Sequence, residues 1–465
     1  MLTIFDGDRS MNRRELLRIG TLGLGGSGLL GLPELLSATE NGFTTGKSVI
    51  FLFQQGGPSQ QEMYDPKPDG PASSRTMTGT VSTSIPGVHF GEYLPKLAGM
   101  AHKLSVVRSY QTNNAGHNIR PLVGPESKEA NIGAHYARLV GSMNPETLVP
   151  TNMVLFPQAV DETVTKGSAR GNLASTGEYS SRFTPFIPGT GGQLQKDLEL
   201  ALPRERFLED RKALLAKLDD LSRKMDSDAG IGAMSELQAQ ATQVLLSGGI
   251  SKALDLGEED PRVVARFDTS KFATMKKWQH KKRGQAGLYH GHNATLGKLL
   301  LQARRLCEAG CGFVTVHASY AGVWDFHADG NNLSPREGME ALGPAFDHAV
   351  AALIEDIEAR GLQDKILLVV SGEMGRNPKV NKRGGRDHWS RLAPLMLYGG
   401  GYEPGQVIGA SDKPGGEPAT ESFTPGHLIS TILRTVFDAG KLRIDADTPP
   451  AVTELIGHEP ITGFG

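Results

Sequence analysis

Short, largely apolar runs alternate with helical patterns along most of the chain. Apolar runs that end in polar loops are typical of strands buried on both faces of a parallel sheet. Six runs fit this description: 48–53, 104–108, 152–156, 312–316, 365–370 and 395–398. Helical periodicity at 294–308 and 345–358 precedes two of these strands. The alternation predicts an α/β fold whose mostly parallel sheet carries helices on both faces.

The segment 1–40 departs from this pattern. It combines the arginine pair Arg13-Arg14 with a weakly apolar, glycine-rich run at 19–32. A charged region followed by a short apolar run is typical of an export signal, and paired arginines favour the twin-arginine route. We therefore expect the folded protein to be exported to the periplasm or cell envelope. The signal segment itself is expected to contact the membrane.

The remaining residues, 41–465, are expected to form one α/β domain. A charged helical pattern at about 193–250 predicts a helical insertion within it. The 49 lysines and arginines nearly balance the 51 aspartates and glutamates, so the charge does not favour nucleic acid as a partner. The two cysteines, Cys307 and Cys311, are expected to be buried thiols, because no second Cys or His pair has the spacing of a metal site.

Three segments that follow predicted strands contain side chains suited to metal binding. They are Trp324-Asp325-Phe326-His327, Gly372-Glu373-Met374-Gly375-Arg376 and Gly385-Arg386-Asp387-His388-Trp389. Ligands of parallel α/β sheets bind at the carboxyl ends of the strands, where these segments begin. We therefore predict that Asp325, His327, Glu373, Asp387 and His388 bind a divalent ion, which would be Zn, Mn, Fe or Ca. Such an ion can polarise an ester oxygen or activate a water molecule.

The loop after the second predicted strand supplies further polar side chains. It contains Ser109, Thr112, Asn113, Asn114 and His117. We predict catalytic roles for Thr112 and His117, together with Glu373 as a general base. The alternative is that the loop side chains only cap helices and bond to nearby backbone.

Four motifs, in this order, make the chain resemble the domain-of-unknown-function family 1501. They are Gly56-Gly57-Pro58-Ser59 with Asp65-Pro66-Lys67-Pro68, then Trp324-Asp325-x-His327, Gly372-Glu373-x-Gly375-Arg376-x-Pro378, and Gly385-Arg386-Asp387-His388-Trp389. That family is assigned to the alkaline phosphatase and sulfatase superfamily. The resemblance implies a three-layer α/β/α sandwich. It also implies that Asp325, His327 and His388 hold a metal, with Glu373 as a bridging ligand or general base.

Two functional hypotheses follow from the resemblance. The first is an exported, metal-dependent hydrolase of phosphate or sulfate esters, acting on a small-molecule or polysaccharide substrate. The second is a catalytically degenerate binding or assembly protein, with an envelope protein as partner and the 193–250 insertion as its interaction surface. The second is motivated by Gln54 and Gln55, Met374 and Asn114, which stand where the superfamily has metal ligands and a nucleophile.

Overall fold

The computed structural model describes residues 4–6, 9–11, 42–188, 249–273, 283–317 and 320–464. The Arg13-Arg14 pair and almost all of the predicted insertion at 193–250 lie outside the described residues. Strands β1 (Ile4–Asp6) and β2 (Arg9–Met11) form a short antiparallel pair. Within the described ranges, no helix has both the length and the apolar composition needed to cross a membrane.

A seven-stranded sheet forms the centre of the domain. Its strands are β3 (Ser48–Phe53), β6 (Ser105–Val107), β7 (Asn152–Leu155), β8 (Phe313–Val316), β9 (Ile366–Ser371), β12 (Leu395–Gly399) and β13 (Val407–Ile408). Their order across the sheet is β13-β6-β12-β9-β3-β8-β7. All neighbouring pairs are parallel except the two that β12 makes with β6 and β9. The predicted, mostly parallel sheet is confirmed.

The central strands are apolar along their whole length because both of their faces are buried. In β3, Ile50 and Leu52 belong to one hydrophobic core. The alternate residues Val49, Phe51 and Phe53 belong to a second core on the other face of the sheet. A strand covered on one face only would show apolar residues at every second position. The continuous run is therefore the sequence signature of a sheet in the middle layer.

Helices cover both faces of this sheet. They are α1 (Pro95–Gly99), α2 (Ile132–Val140), α3 (Gly249–Leu254), α4 (Pro261–Arg266), α5 (Arg283–Glu308), α6 (Pro335–Ala359), α7 (Pro425–Val436), α8 (Ala439–Ile444) and α9 (Pro450–Gly457). Residues of α5 and α6 belong to the first core, and residues of α2, α7 and α9 belong to the second. The three-layer α/β/α architecture is thus confirmed.

Two predicted helices begin earlier than their apolar patterns indicate. The helix expected from residue 294 begins at Arg283. The helix expected from residue 345 begins at Pro335, where Ser334 and Glu337 form a reciprocal capping box. Pro344 lies inside α6. Because proline prefers the first turn of a helix, the sequence pattern placed the start of this helix too far along the chain. The two cysteines are buried free thiols, as expected.

Besides the β1–β2 pair, two antiparallel hairpins lie outside the main sheet. One pairs β4 (Thr80–Ser82) with β5 (His89–Gly91). The other pairs β10 (Gly375–Val380) with β11 (Arg386–Trp389), and it places Arg376 opposite His388. The second hairpin follows β9 after a short loop, so it extends from the carboxyl edge of the sheet. Its paired strands were not predicted, because the segment is polar and carries no alternating apolar pattern.

Candidate metal centre

Four side chains of ligand type converge at the carboxyl edge of the sheet. His117 lies in the loop after β6, Asp325 and His327 lie in the loop after β8, and His388 lies on β11. One ligand atom of each lies within 4.8 Å of the ligand atoms of the other three. Parallel strands all end at the same edge, and this topology brings residues that are far apart in sequence to one point.

Asp325 is the centre of this cluster. Its Oδ1 atom lies 2.9 Å from His327 Nε2, 2.7 Å from Arg376 Nη2 and 3.5 Å from His388 Nε2. Its Oδ2 atom lies 2.9 Å from His117 Nε2. Burial by itself raises the pKa of Asp325, but the close imidazoles of His117, His327 and His388 and the charge of Arg376 hold this pKa well below its usual value. Asp325 is therefore a fixed anion at the centre of the cluster.

His117 lies between two carboxylates. Its Nε2 faces Asp325, and its Nδ1 lies 2.9 Å from Glu373 Oε1. Burial lowers the pKa of His117, but the hydrogen bonds to Asp325 and Glu373 outweigh this effect and the net pKa is raised. The carboxylate of Glu373 is fully buried and also accepts hydrogen bonds from the Gly56 N–H, at 2.9 and 3.1 Å. Glu373 thus lies behind His117 and fixes the orientation of its ring.

The other two imidazoles are also held by an acceptor at Nδ1. His388 Nδ1 donates to the carbonyl oxygen of Ala115, at 2.8 Å. His327 Nδ1 lies 3.4 Å from Asp387 Oδ1, and the Asp387 carboxylate accepts a hydrogen bond from Asn381 Nδ2, at 3.0 Å. All three histidines therefore direct Nε2 at Asp325 while Nδ1 is occupied. Histidines that bind metals in proteins usually have this arrangement.

The cluster fits a cation by a further test, the hydrogen bonding of its buried atoms. His388 Nε2 is buried and has no hydrogen-bond partner among the described residues. A buried polar atom without a partner costs free energy, and such an atom in a native structure often marks a missing ligand. Three imidazole nitrogens and one carboxylate oxygen are a donor set that Zn, Mn and Fe accept readily.

Arg376 supplies a fixed positive charge beside the cluster. Its guanidinium is fully buried and donates to the carbonyl oxygens of Gly56, Gly57 and Arg386 as well as to Asp325. Gly56 and Gly57 have positive φ angles of 128° and 81°. A Cβ at Gly56 would lie 2.7 Å from the Trp324 nitrogen, so the close approach of this turn to the Asp325 loop requires glycine.

The structure brings together some of the predicted site residues and separates others. Asp325, His327 and His388 are in the cluster with His117, whereas Glu373 and Asp387 lie behind the histidines. Thr112 is buried, and its hydroxyl donates to the carbonyl oxygen of Asn114, at 3.2 Å. The catalytic role of Thr112 and the ligand roles of Glu373 and Asp387 stay predictions.

Other polar residues that follow β3 serve the fold. Glu62 forms a fully buried ion pair with Arg386, at 3.1 Å. Asp65 lies 3.3 Å from the Lys67 ammonium group and accepts a hydrogen bond from Ser411. These carboxylates therefore already have partners and lie outside the metal-type cluster.

Sequence reasoning did not find two contacts at the centre. Asn332 Nδ2 donates to Asp325 Oδ2, at 3.3 Å, and the Ala115 carbonyl accepts from His388. Asn332 lies in the loop before α6 without any motif. The second contact is made by backbone and has no sequence signal.

Comparison with protein families identifies the group to which this chain belongs. The model of the family described as "Protein of unknown function (DUF1501)" matches residues 46–442. The chain belongs to the DUF1501 family. The match includes all four motifs that carry the resemblance. None of the curated protein sequences is significantly similar to this DUF1501 protein.

Several solved structures overlap with this DUF1501 protein at low similarity. The PsFucS1 sulfatase from Pseudoalteromonas sp. is 11% identical with a TM-score of 0.36, covering 97% of this chain and 76% of the sulfatase. Ps i-CgsB in complex with k-i-k-neocarrahexaose is 9% identical with a TM-score of 0.33, and the overlap covers 89% of this chain and 77% of Ps i-CgsB. The alkaline phosphatase from the Antarctic bacterium TAB5 is 14% identical with a TM-score of 0.28, and the overlap covers 84% of this chain and 98% of the phosphatase. Overlaps of this size do not assign an activity to the chain.

Proposed function

We propose that this DUF1501 protein is an exported, metal-dependent hydrolase of phosphate or sulfate esters. The observation that carries the proposal is the convergence of three imidazole Nε2 atoms on Asp325, each ring being held by an acceptor at Nδ1. The substrate would be an ester carried by a small molecule or by a polysaccharide. Support for export comes from the arginine pair at Arg13 and Arg14.

The donor set bears on which metal would be bound. His117, His327 and His388 offer nitrogen, and Asp325 offers oxygen. Calcium prefers six to eight oxygen ligands, whereas Zn, Mn and Fe accept imidazole. We therefore favour Zn, Mn or Fe over Ca. A divalent ion bound there would act as a Lewis acid toward the oxygen atoms of an ester.

The residues of this chain would prepare the centre for that chemistry. Glu373 accepts a hydrogen bond from His117 Nδ1–H, which leaves the lone pair of Nε2 available to the ion. An ion bound at His117 Nε2 would replace the contact that this nitrogen makes with Asp325. The Thr112 hydroxyl is occupied by the Asn114 carbonyl. A water molecule is therefore our choice of nucleophile.

We expect one ion per chain. Arg376 Nη2 and His327 Nε2 both approach Asp325 Oδ1, and the guanidinium is a permanent cation in this position. A second ion on Asp325 would have to displace the Arg376 guanidinium and lie beside a buried positive charge. Repulsion between the second ion and the Arg376 guanidinium would be strong in a buried site, so a second ion is disfavoured.

The test is the metal content of the purified, folded protein, with a screen of phosphate and sulfate esters. We expect about one ion per chain, and loss of both the ion and any hydrolysis in Asp325→Asn and His388→Ala. His102→Ala is a matched control, because His102 precedes β6 and so lies at the opposite edge of the sheet, bonded to Ser84. A protein without metal, whose thermal stability a chelator does not change, would refute the proposal.

A binding or assembly protein is the second candidate function. It is favoured by the loop after β6, in which the Thr112 hydroxyl and the Asn114 amide are both engaged in contacts within the chain. This hypothesis predicts that the ion binds but that no ester is hydrolysed. A partner protein that still binds Asp325→Asn would support it over the hydrolase.

A further inference from the structure

Gln55 joins three loops at the carboxyl edge of the sheet. Its side chain is fully buried at the end of β3. Its Oε1 accepts from the backbone N–H of Arg170, at 2.9 Å, and lies 3.1 Å from His317 Nε2. Its Nε2 donates to the carbonyl oxygen of Asn118, at 2.5 Å. Only an amide can both donate and accept in this way, because an ionised carboxylate has no proton to donate.

This amide fixes the backbone of Arg170 close to the metal-type cluster. Asn118 is adjacent to His117 in sequence, and the Ala321 N–H donates to the Ser168 carbonyl, at 3.1 Å. The loop that contains Arg170 is thus bonded on both sides to loops that supply His117 and Asp325. Gln55 is the positioning residue for this arrangement.

The guanidinium of Arg170 lies close to the loop that supplies Asp325. Gly322 lies in this loop with a φ angle of 89°. A Cβ at Gly322 would lie 3.6 Å from Arg170 Nη2 and 4.0 Å from the Asp325 Cβ. The nearby imidazoles of His327 and His388 are 21% and 25% exposed, so the cluster opens to solvent.

Arg170 differs from Arg376 in the state of its charge. The Arg376 guanidinium is fully buried and paired with Asp325. Arg170 is exposed, and no ion pair is formed by its side chain within the part of the chain that the structure describes. One arginine therefore balances the centre internally, and the other presents an unpaired charge to solvent beside it.

We propose that Arg170 binds the anionic oxygens of the substrate ester. The inference rests on the proposed function, since it names a recognition residue for the same site. A guanidinium offers two parallel N–H donors, which match two oxygens of a phosphate or sulfate group. With its backbone held next to the Asp325 loop, Arg170 would bring these donors to an oxyanion bound at the centre.

The experiment measures binding of inorganic phosphate and of inorganic sulfate to the metal-loaded full chain by calorimetry. The variants are Arg170→Ala, Arg170→Lys and the control Arg262→Ala. Arg262 lies on α4 and is 92% exposed. In the same helix, Arg266 forms an ion pair with Asp356 near the end of α6. Because α6 leads to the amino end of β9, Arg262 is on the side of the sheet opposite to the metal-type cluster. Metal content is measured for every variant, so that loss of the ion and loss of anion affinity are separated.

We expect Arg170→Ala to weaken binding of the preferred oxyanion by at least about tenfold, because charge-assisted hydrogen bonds are lost. The oxyanion affinity of Arg170→Lys should lie between those of Arg170→Ala and the wild type. The affinity of Arg262→Ala should match that of the wild type. Metal content should be the same in all. The oxyanion whose affinity depends more on Arg170 identifies the substrate as a phosphate or a sulfate ester.

Two results would overturn the inference while the proposed function stands. One is unchanged oxyanion affinity in Arg170→Ala, and the other is a metal-loaded wild type that binds neither oxyanion. A wild type without metal would instead refute the proposed function. Gln55→Glu provides a second check: with normal metal content and a wild-type circular dichroism spectrum, it should also lose oxyanion affinity, because a carboxylate cannot donate to the Asn118 carbonyl.

Discussion

Replacing Glu373 by glutamine tests the most specific feature of the proposed centre, the control of one ligand by a buried carboxylate. Glutamine has nearly the same shape, and its carbonyl oxygen can still accept from the Gly56 N–H. What changes is the partner of His117 Nδ1, which now lies 2.9 Å from a carboxylate oxygen. A neutral amide stabilises the Nδ1–H tautomer less and can also present its own N–H to the ring. The Nε2 lone pair would then be less available to an ion.

The size of the effect follows from the position of Glu373 behind a ligand. Loss of such an outer partner typically weakens metal binding about 10- to 100-fold, which corresponds to about 1.4–2.7 kcal/mol. We expect Glu373→Gln to weaken metal binding by more than about tenfold, because Glu373 is fully buried and its charge is not screened by solvent. Loss of the ion altogether would require removal of a ligand such as Asp325.

The assay is a titration of the metal-free full chain with Zn²⁺ in competition with a chromophoric chelator. This readout does not depend on turnover. Glu355→Gln is the matched control, since Glu355 is an exposed residue in the second half of α6, away from the carboxyl edge. A Zn²⁺ affinity for Glu373→Gln within about twofold of the wild type would refute the reasoning, because His117 would then be oriented without the carboxylate.

Two further predictions concern acid stability and export. His135 is buried between the Tyr179 hydroxyl and the Ser127 carbonyl, and burial lowers its pKa to about 4, a shift that the hydrogen bond to Ser127 only partly opposes. Its contribution to stability is present above the unfolded pKa and is lost as the pH falls toward 4, so the wild type should lose about 2 kcal/mol of unfolding free energy between about pH 7.5 and pH 5. His135→Gln should lack this loss in urea titrations, and an unchanged pH dependence would contradict the assignment. Replacing both Arg13 and Arg14 by lysine should retain the protein in the cytoplasm on cell fractionation, and normal export of the variant would count against the twin-arginine route.

The sheet could be predicted because burial on both faces leaves a strong local signal. β3 and β9 have continuous apolar runs, and each was predicted to within a residue at either end. The start of α6 was missed because Pro344 looks like a first-turn residue, although the capping box of Ser334 and Glu337 was readable in the sequence. The β10–β11 hairpin was missed because its stability comes from buried contacts such as those of Arg376, which no local pattern reveals.

The candidate centre was only partly accessible from the sequence, for a different reason. Asp325, His327 and His388 stand in motifs after strands, and the rule that strand ends meet at one edge was enough to group them. Which atoms face one another depends on tertiary geometry. Glu373 was grouped with the ligands, whereas the structure sets it against His117 and the Gly56 N–H. Gln55 appeared only as a missing carboxylate ligand, but it has its own task, which needs an amide rather than an acid.

The charges at the centre connect ion binding with substrate binding. Without an ion, the carboxylate of Asp325 faces the buried guanidinium of Arg376, and His117 lies between the carboxylates of Asp325 and Glu373. A divalent ion bound there would add positive charge to the buried centre. The unpaired guanidinium of Arg170 would then lie near a centre that carries more positive charge. An anionic ester would therefore bind more tightly to the ion-loaded protein, which would couple metal loading to substrate recognition.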